Sequence, residues 1–232
     1  MFSKMFGADS PVMSFLTRVT DLLLLNLIAL IMCLPIITIG ASLTALHNVC
    51  GRMARDDGYY VFRTYFESFK KNFLQATAEW LMLLALYAFI AFDILIITSN
   101  DTGLPRMLLY LLIAFAIVIF VFSQFLFPLQ SRFINPVKKT IHNTIFITLA
   151  NFPKAILMTM CWSIPLACLA KSLSTIPILV FFGLSVPVYV QALLYAPIFA
   201  KFEPEIEETD DIEFTIDENN PAFDEINSRK NQ

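Results

Sequence analysis

What limits the fold of this chain before anything else is a series of apolar runs, each about as long as a bilayer is thick. A spanning helix needs about 20 mainly apolar residues. Five segments meet or approach that length: Leu22–Leu46 (LLLLNLIALIMCLPIITIGASLTAL), Trp80–Thr98, Met107–Leu129, Ala155–Ala170 and Ser174–Phe199. The composition agrees, with 57% hydrophobic residues, 23 Phe and only 15% charged residues, against about 25% charged in soluble domains. A soluble domain of 232 residues could not keep that much apolar surface from water. The predicted fold class is therefore all-α: a polytopic transmembrane helix bundle of about five spans. Residues 1–200 form the membrane-embedded domain, and residues 201–232 form an acidic tail that reads as disordered and solvated.

The first apolar run follows Arg18 and is too long for the core of a cleavable signal, so it reads as a retained first span. Five spans put the two ends of the chain on opposite faces. Twelve Lys/Arg then share one face, from the segments 47–79 and 130–154 and the tail, while Lys4, Arg18, Arg106 and Lys171 share the other. Positive residues favour the cytoplasmic face. The expected orientation is N-terminus outside and C-terminus cytoplasmic, with connectors of only a few residues outside.

The two cytoplasmic loops carry amphipathic patterns. Phe62, Phe66, Phe69 and Phe73 recur at helical spacing in the first, and Ile141, Ile145, Leu149 and Phe152 follow Asn135-Pro136 in the second. Both read as interfacial helices, anchored by Lys70 and Lys71 in one and Lys138 and Lys139 in the other. Phe69–Phe73 and Val137–Ile141 echo each other weakly, which raises the hypothesis of two similarly oriented hairpins with a fifth helix added. The body, residues 1–199, has 13 Lys/Arg and 8 Asp/Glu, whereas residues 200–232 have 3 and 11. Within that acidic tail Ile212, Phe214 and Ile216 alternate with polar residues, a strand-like pattern suited to docking.

Polar residues at membrane depth are the candidates for function, because hydrocarbon penalises them. Asp93 lies inside the second span and could pair with Arg106 or line a hydrated cavity. Asp21, next to Arg18, reads as interfacial. Asn26 and Gln124 lie well inside spans, where an interhelical hydrogen bond is the expected role and ligand contact the secondary one. Six prolines fall in or at the ends of spans: Pro35, Pro128, Pro165, Pro177, Pro187 and Pro197. Three lie in the fifth span, which is expected to bend. The end of the first span gathers Pro35, Thr38, Gly40, Ser42 and Thr44. Such small and hydroxyl residues suit a packing joint or hinge, or, in a sharper reading, a gate.

Catalytic signatures are missing: the sequence has no P-loop, GxGxxG, HExxH or GxSxG. The four cysteines form no CxxC pair, and the two histidines, His47 and His142, make a poor metal site. The chain is therefore expected to be no enzyme and to need no cofactor. The loop cations are accounted for by topology and by anionic lipid headgroups, so no nucleic-acid partner is expected.

The segments PIITIGASLTAL, at residues 35–46, and FRTYFESFKKNFLQATAEW, at residues 62–80, resemble the YesL family, the DUF624 domain of unknown function. The resemblance covers roughly residues 10–200. It implies a bacterial, multi-pass protein of the cell membrane, associated with carbohydrate uptake and breakdown systems. No site residues are carried over from it. The expected function is an accessory or regulatory component linked to carbohydrate uptake, with a sugar-transporter permease as partner. The alternative is a small transporter acting as a homo-oligomer.

Overall fold

The computed structural model describes residues 11–99, 106–133, 135–171 and 176–202. The chain divides into two units, Met1–Phe199 and Ala200–Gln232. Of the second, only a 3-10 turn, Ala200–Phe202, is described. The strand-like pattern at Ile212, Phe214 and Ile216 lies outside the described residues, as do the short connectors around 100–105 and 172–175.

The described residues of the first unit are mostly helical, with no strand among them. The helices are α1 (Pro11–Met32), α2 (Ile39–Ala54), α3 (Val61–Ser99), α4 (Arg106–Ser123), α5 (Leu126–Arg132), α6 (Val137–Ala150), α7 (Phe152–Cys161), α8 (Ser163–Lys171), α9 (Ile176–Phe182) and α10 (Ser185–Phe199). Four helical stretches are long and apolar enough to cross a membrane: Val12–Met32, Val61–Ser99, Arg106–Arg132 and Ser185–Phe202. A fifth, Val137–Ala150 with Phe152–Pro165, qualifies only as a pair bent by 101°. The apolar runs predict an all-α bundle of about five spans, and four to five helical stretches qualify by length and composition.

The expected first span, Leu22–Leu46, is not one helix. It stops at Met32, passes through a 3-10 turn at Ile36–Thr38, and restarts at Ile39. Pro35 has no N–H to continue the helix, and its ring disfavours helical backbone at Leu34. The second helix then returns along the first. Ser42 donates to the Ala29 carbonyl at 3.2 Å, Tyr59 donates to Asp21 at 2.8 Å, and Arg18 pairs with Asp56. α1 and α2 are therefore an antiparallel hairpin. Arg18 and the 55–60 connector, assigned to opposite faces on charge counts, sit at the same end of the bundle.

α2 is the centre of the unit. Eleven of its 16 residues are buried, and it packs against α1, α3, α5 and α10. The small residues Gly40, Ala41, Ser42, Thr44 and Ala45, all buried, let α3 approach closely. A Cβ at Gly40 would collide with the Ala76 carbonyl and stand 2.5 Å from the Trp80 Cβ. Larger side chains close the core around α2, among them Leu25, Tyr65, Met158, Tyr195 and Phe199.

The loop patterns resolve in two ways. Phe62–Phe73 does not form a separate interfacial helix. It is the first half of α3, a continuous helix of 39 residues, about 58 Å long at 1.5 Å per residue. Phe62 and Phe66 face outward while Phe69 is buried. The second pattern does form its own helix, α6. Its buried face is Thr140, Thr144, Ile147 and Thr148, and its outward face is Ile145, Phe146 and Leu149, which suits a helix with protein on one side and lipid on the other. Lys70-Lys71 thus lies within a long uninterrupted helix, whereas Lys138-Lys139 begins a helix that soon bends sharply. The two settings are not equivalent, and the repeat hypothesis is dropped.

The fifth predicted span, Ser174–Phe199, is broken as expected, but not at a proline. Pro177 and Pro187 sit in the first turns of α9 and α10, where a missing N–H costs little. The break is at Gly183-Leu184 between them.

Candidate functional site

Asn26 lies in the middle of α1, fully buried, against the broken fifth span. Its Nδ2 donates to the Val180 carbonyl at 2.7 Å and to Leu179 at 3.4 Å, both near the end of α9. Its Oδ1 accepts from the backbone N–H groups of Leu184 and Ser185, each at 2.8 Å, where α10 begins. One amide thus supplies a C-terminal cap and an N-terminal cap across a helix break. Such groups lack intrahelical partners at any helix end, and in an apolar surrounding they must be satisfied by protein. The interhelical role expected for Asn26 is its role here.

The hairpin turn is closed by the residues picked out for a joint. Thr38 Oγ1 donates to the carbonyls of Met32, at 2.6 Å, and Pro35, at 2.8 Å. Trp80 Nε1 reaches from α3 to the Ile36 carbonyl at 2.8 Å. Below the turn, Ser42 shares a 2.7 Å hydrogen bond with the Tyr65 hydroxyl and accepts from Cys33 Sγ at 3.2 Å. Thr44 returns its hydroxyl to Gly40 O at 2.9 Å. Pro35, Thr38, Gly40, Ser42 and Thr44 form one connected structure, a tight turn with a close helix contact beneath it. The turn itself presents Leu34, Ile36 and Ile37 outward.

Gln124 occupies the break between α4 and α5. Its Oε1 accepts from Gln191 Nε2 at 3.1 Å, and the same nitrogen donates to the Met158 carbonyl at 2.9 Å. The pair borders a cavity of about 120 Å³ also lined by His47, Trp80, Tyr87 and Trp162. His47 is buried beside Tyr195, whose hydroxyl donates to the His47 carbonyl at 3.0 Å.

Asp93 takes no part in this. It is half-buried on α3, lies away from the Gln124 cavity, and makes no ion pair with Arg106. The anchors Lys70, Lys71, Lys138 and Lys139 are all exposed. Asp21, read as interfacial, accepts from Tyr59.

Gln191, Tyr195 and Glu79 are among the buried residues with polar groups that escaped the sequence reading. Gln191 and Tyr195 sit in an apolar run with no periodic polar face. Glu79 sits one residue before the expected start of the second span, yet it is fully buried, with the Gln75 side chain beside its carboxyl. Its only signal was position, since the apolar run begins at its neighbour. Among the described residues no three His, Cys, Asp or Glu gather in a way that could hold a metal.

No curated protein and no solved structure matches the chain. Residues 22–94, which run from α1 through the hairpin turn and α2 along nearly all of α3, match the family model described as "Protein of unknown function, DUF624", and over that stretch the DUF624 resemblance holds.

Proposed function

We propose that the protein is an accessory membrane component that acts by binding partners at its surface, in the service of carbohydrate uptake. The observation that carries the accessory reading is the full engagement of the buried Asn26 side chain. All four hydrogen bonds of Asn26 go to the backbone of the broken fifth span. Gln191 is likewise tied to Gln124 and Met158. Polar groups committed to holding helices together are not offered to a passing solute. The carbohydrate link rests on the family resemblance alone.

The orientation that goes with this reading has both ends of the membrane body on the cytoplasmic face. Arg18 shares an end of the bundle with the 55–60 connector, next to a segment rich in Lys and Arg. Arg106 and Lys171 are then the cations of the body left opposite, which agrees better with the positive-inside tendency than the original division. The α1–α2 hairpin enters from the cytoplasmic side, with Leu34, Ile36 and Ile37 against lipid.

A second reading, a small oligomeric transporter, draws on the cavity beside Gln124 and Gln191. Purification from native membranes in mild detergent separates the two. Stoichiometric recovery of a sugar-transporter permease supports the accessory role. Recovery of the chain with itself alone, together with solute flux in liposomes that is lost in Gln191→Leu, supports the transporter.

A further inference from the structure

At the same end of the bundle as the 55–60 connector, α2, α3 and α5 enclose a polar cleft of about 170 Å³. That is several times the roughly 30 Å³ a water molecule occupies in the liquid. Three cations line it: Arg52 from α2, Lys71 from α3 and Arg132 from α5. The one carboxylate on the wall, Glu67, is already paired with Arg63 at 2.8 Å on the outer side of α3. Arg52 and Lys71 form no ion pair among the described residues.

The neutral wall is held in place. Asn48 donates to the Ser131 carbonyl at 2.7 Å, Asn72 donates to the Ser68 carbonyl at 3.0 Å, and Gln130 donates to Asn72 Oδ1 at 3.4 Å. Arg52 and Arg132 stand in the last turns of their helices, where the helix dipole favours a cation. Lys71 stands mid-helix, so that reason does not apply to it. Arg52 and Lys71, both exposed, face one polar cleft from two helices, a concentration of positive charge that an anion between them would relieve.

We propose that this cleft binds a phosphate group, carried either by a lipid headgroup or by a soluble phosphorylated compound. Arg52 and Lys71 supply charge-assisted hydrogen bonds to the phosphate oxygens, and the fixed amides of Asn48 and Asn72 with the Ser68 hydroxyl complete the shell. The inference is independent of the accessory role.

The test uses the full-length protein in neutral detergent and in nanodiscs. Inorganic phosphate, titrated against chloride at equal ionic strength, is expected to raise the unfolding temperature saturably. Arg52→Gln and Lys71→Gln should each weaken that binding about tenfold, Lys71→Arg should retain it, and Lys70→Gln, whose side chain lies outside the cleft, should leave it unchanged. In nanodiscs, preferential retention of phosphatidylglycerol over phosphatidylcholine with the same pattern among the variants identifies the lipid source. A response to inorganic phosphate without that preference identifies the soluble one. If neither probe binds the wild type, or if Lys70→Gln weakens binding as much as Lys71→Gln, the cleft is no phosphate site.

Discussion

Replacing Asn26 by leucine should loosen the fifth span at one known place. Leucine is close to asparagine in size and keeps the contacts of α1 with α9 and α10, so the change is chiefly one of hydrogen bonding. Three bonds of 2.7–2.8 Å are lost, from Val180 O, Leu184 N and Ser185 N. Interhelical hydrogen bonds inside membrane proteins are worth about 0.6 kcal/mol on average and up to about 1.7. Three of them amount to about 2–5 kcal/mol. The loss should show in unfolding from detergent micelles as the fraction of denaturing detergent is raised. Amide exchange at Leu184 and Ser185 should quicken more than elsewhere in α10. Asn26→Asp keeps the acceptor for both amides, with a negative charge at the start of α10 where the dipole favours it, but loses the donor to Val180. It should fall between wild type and Asn26→Leu. A leucine variant within about 0.5 kcal/mol of wild type, with unchanged exchange at the two amides, would refute the capping role.

Gly40→Ala should destabilise by about 1–3 kcal/mol by forcing α2 off the Ala76 backbone. Gly51→Ala, whose new methyl would meet only the Tyr195 hydroxyl at 3.4 Å and the tip of Arg55 at 3.5 Å, should stay within about 1 kcal/mol of wild type; thermal melts of the two variants side by side decide it. Glu79→Met removes a fully buried carboxyl beside Gln75 and should stabilise by about 1–3 kcal/mol in the same melts; a loss of stability instead would mean that the contact with Gln75 outweighs the cost of burying the carboxyl.

The all-helical membrane architecture could be read from the apolar runs because hydrocarbon demands long stretches without charge, and four to five helical stretches meet that demand. Asn26 was legible for the same reason: an amide so deep needs a partner. Its particular partner was not, because the break that it caps, Gly183-Leu184, depends on the packing of α1 against a span more than 150 residues later. The prolines of that span drew attention to Pro177 and Pro187, yet both begin helices, and only the pairing with Asn26 shows why the chain parts between them. Glu79 went unseen because a hydropathy boundary at Trp80 says nothing about which face of α3 meets α2. The basic cleft was equally hidden, since Arg52, Lys71 and Arg132 belong to three segments that only the fold unites.

The hairpin has the widest consequence. An apolar run of 25 residues was taken as one crossing, and the parity of every later segment followed from it. A single proline breaks that run into two antiparallel helices. The helix stops at Met32, Thr38 and Trp80 satisfy the carbonyls of the turn, and the small-residue face of α2 gives the returning chain a surface on which α3 can pack without a gap. Each of these three features sits where the model of the DUF624 family matches. Turn, glycine contact and tryptophan cap work as a unit. Without Gly40, α2 could not approach α3 closely enough for Trp80 to reach the Ile36 carbonyl, and that carbonyl would be left unsatisfied at an apolar tip. The residues that a linear reading took for a hinge within one span are those that make two helices of it.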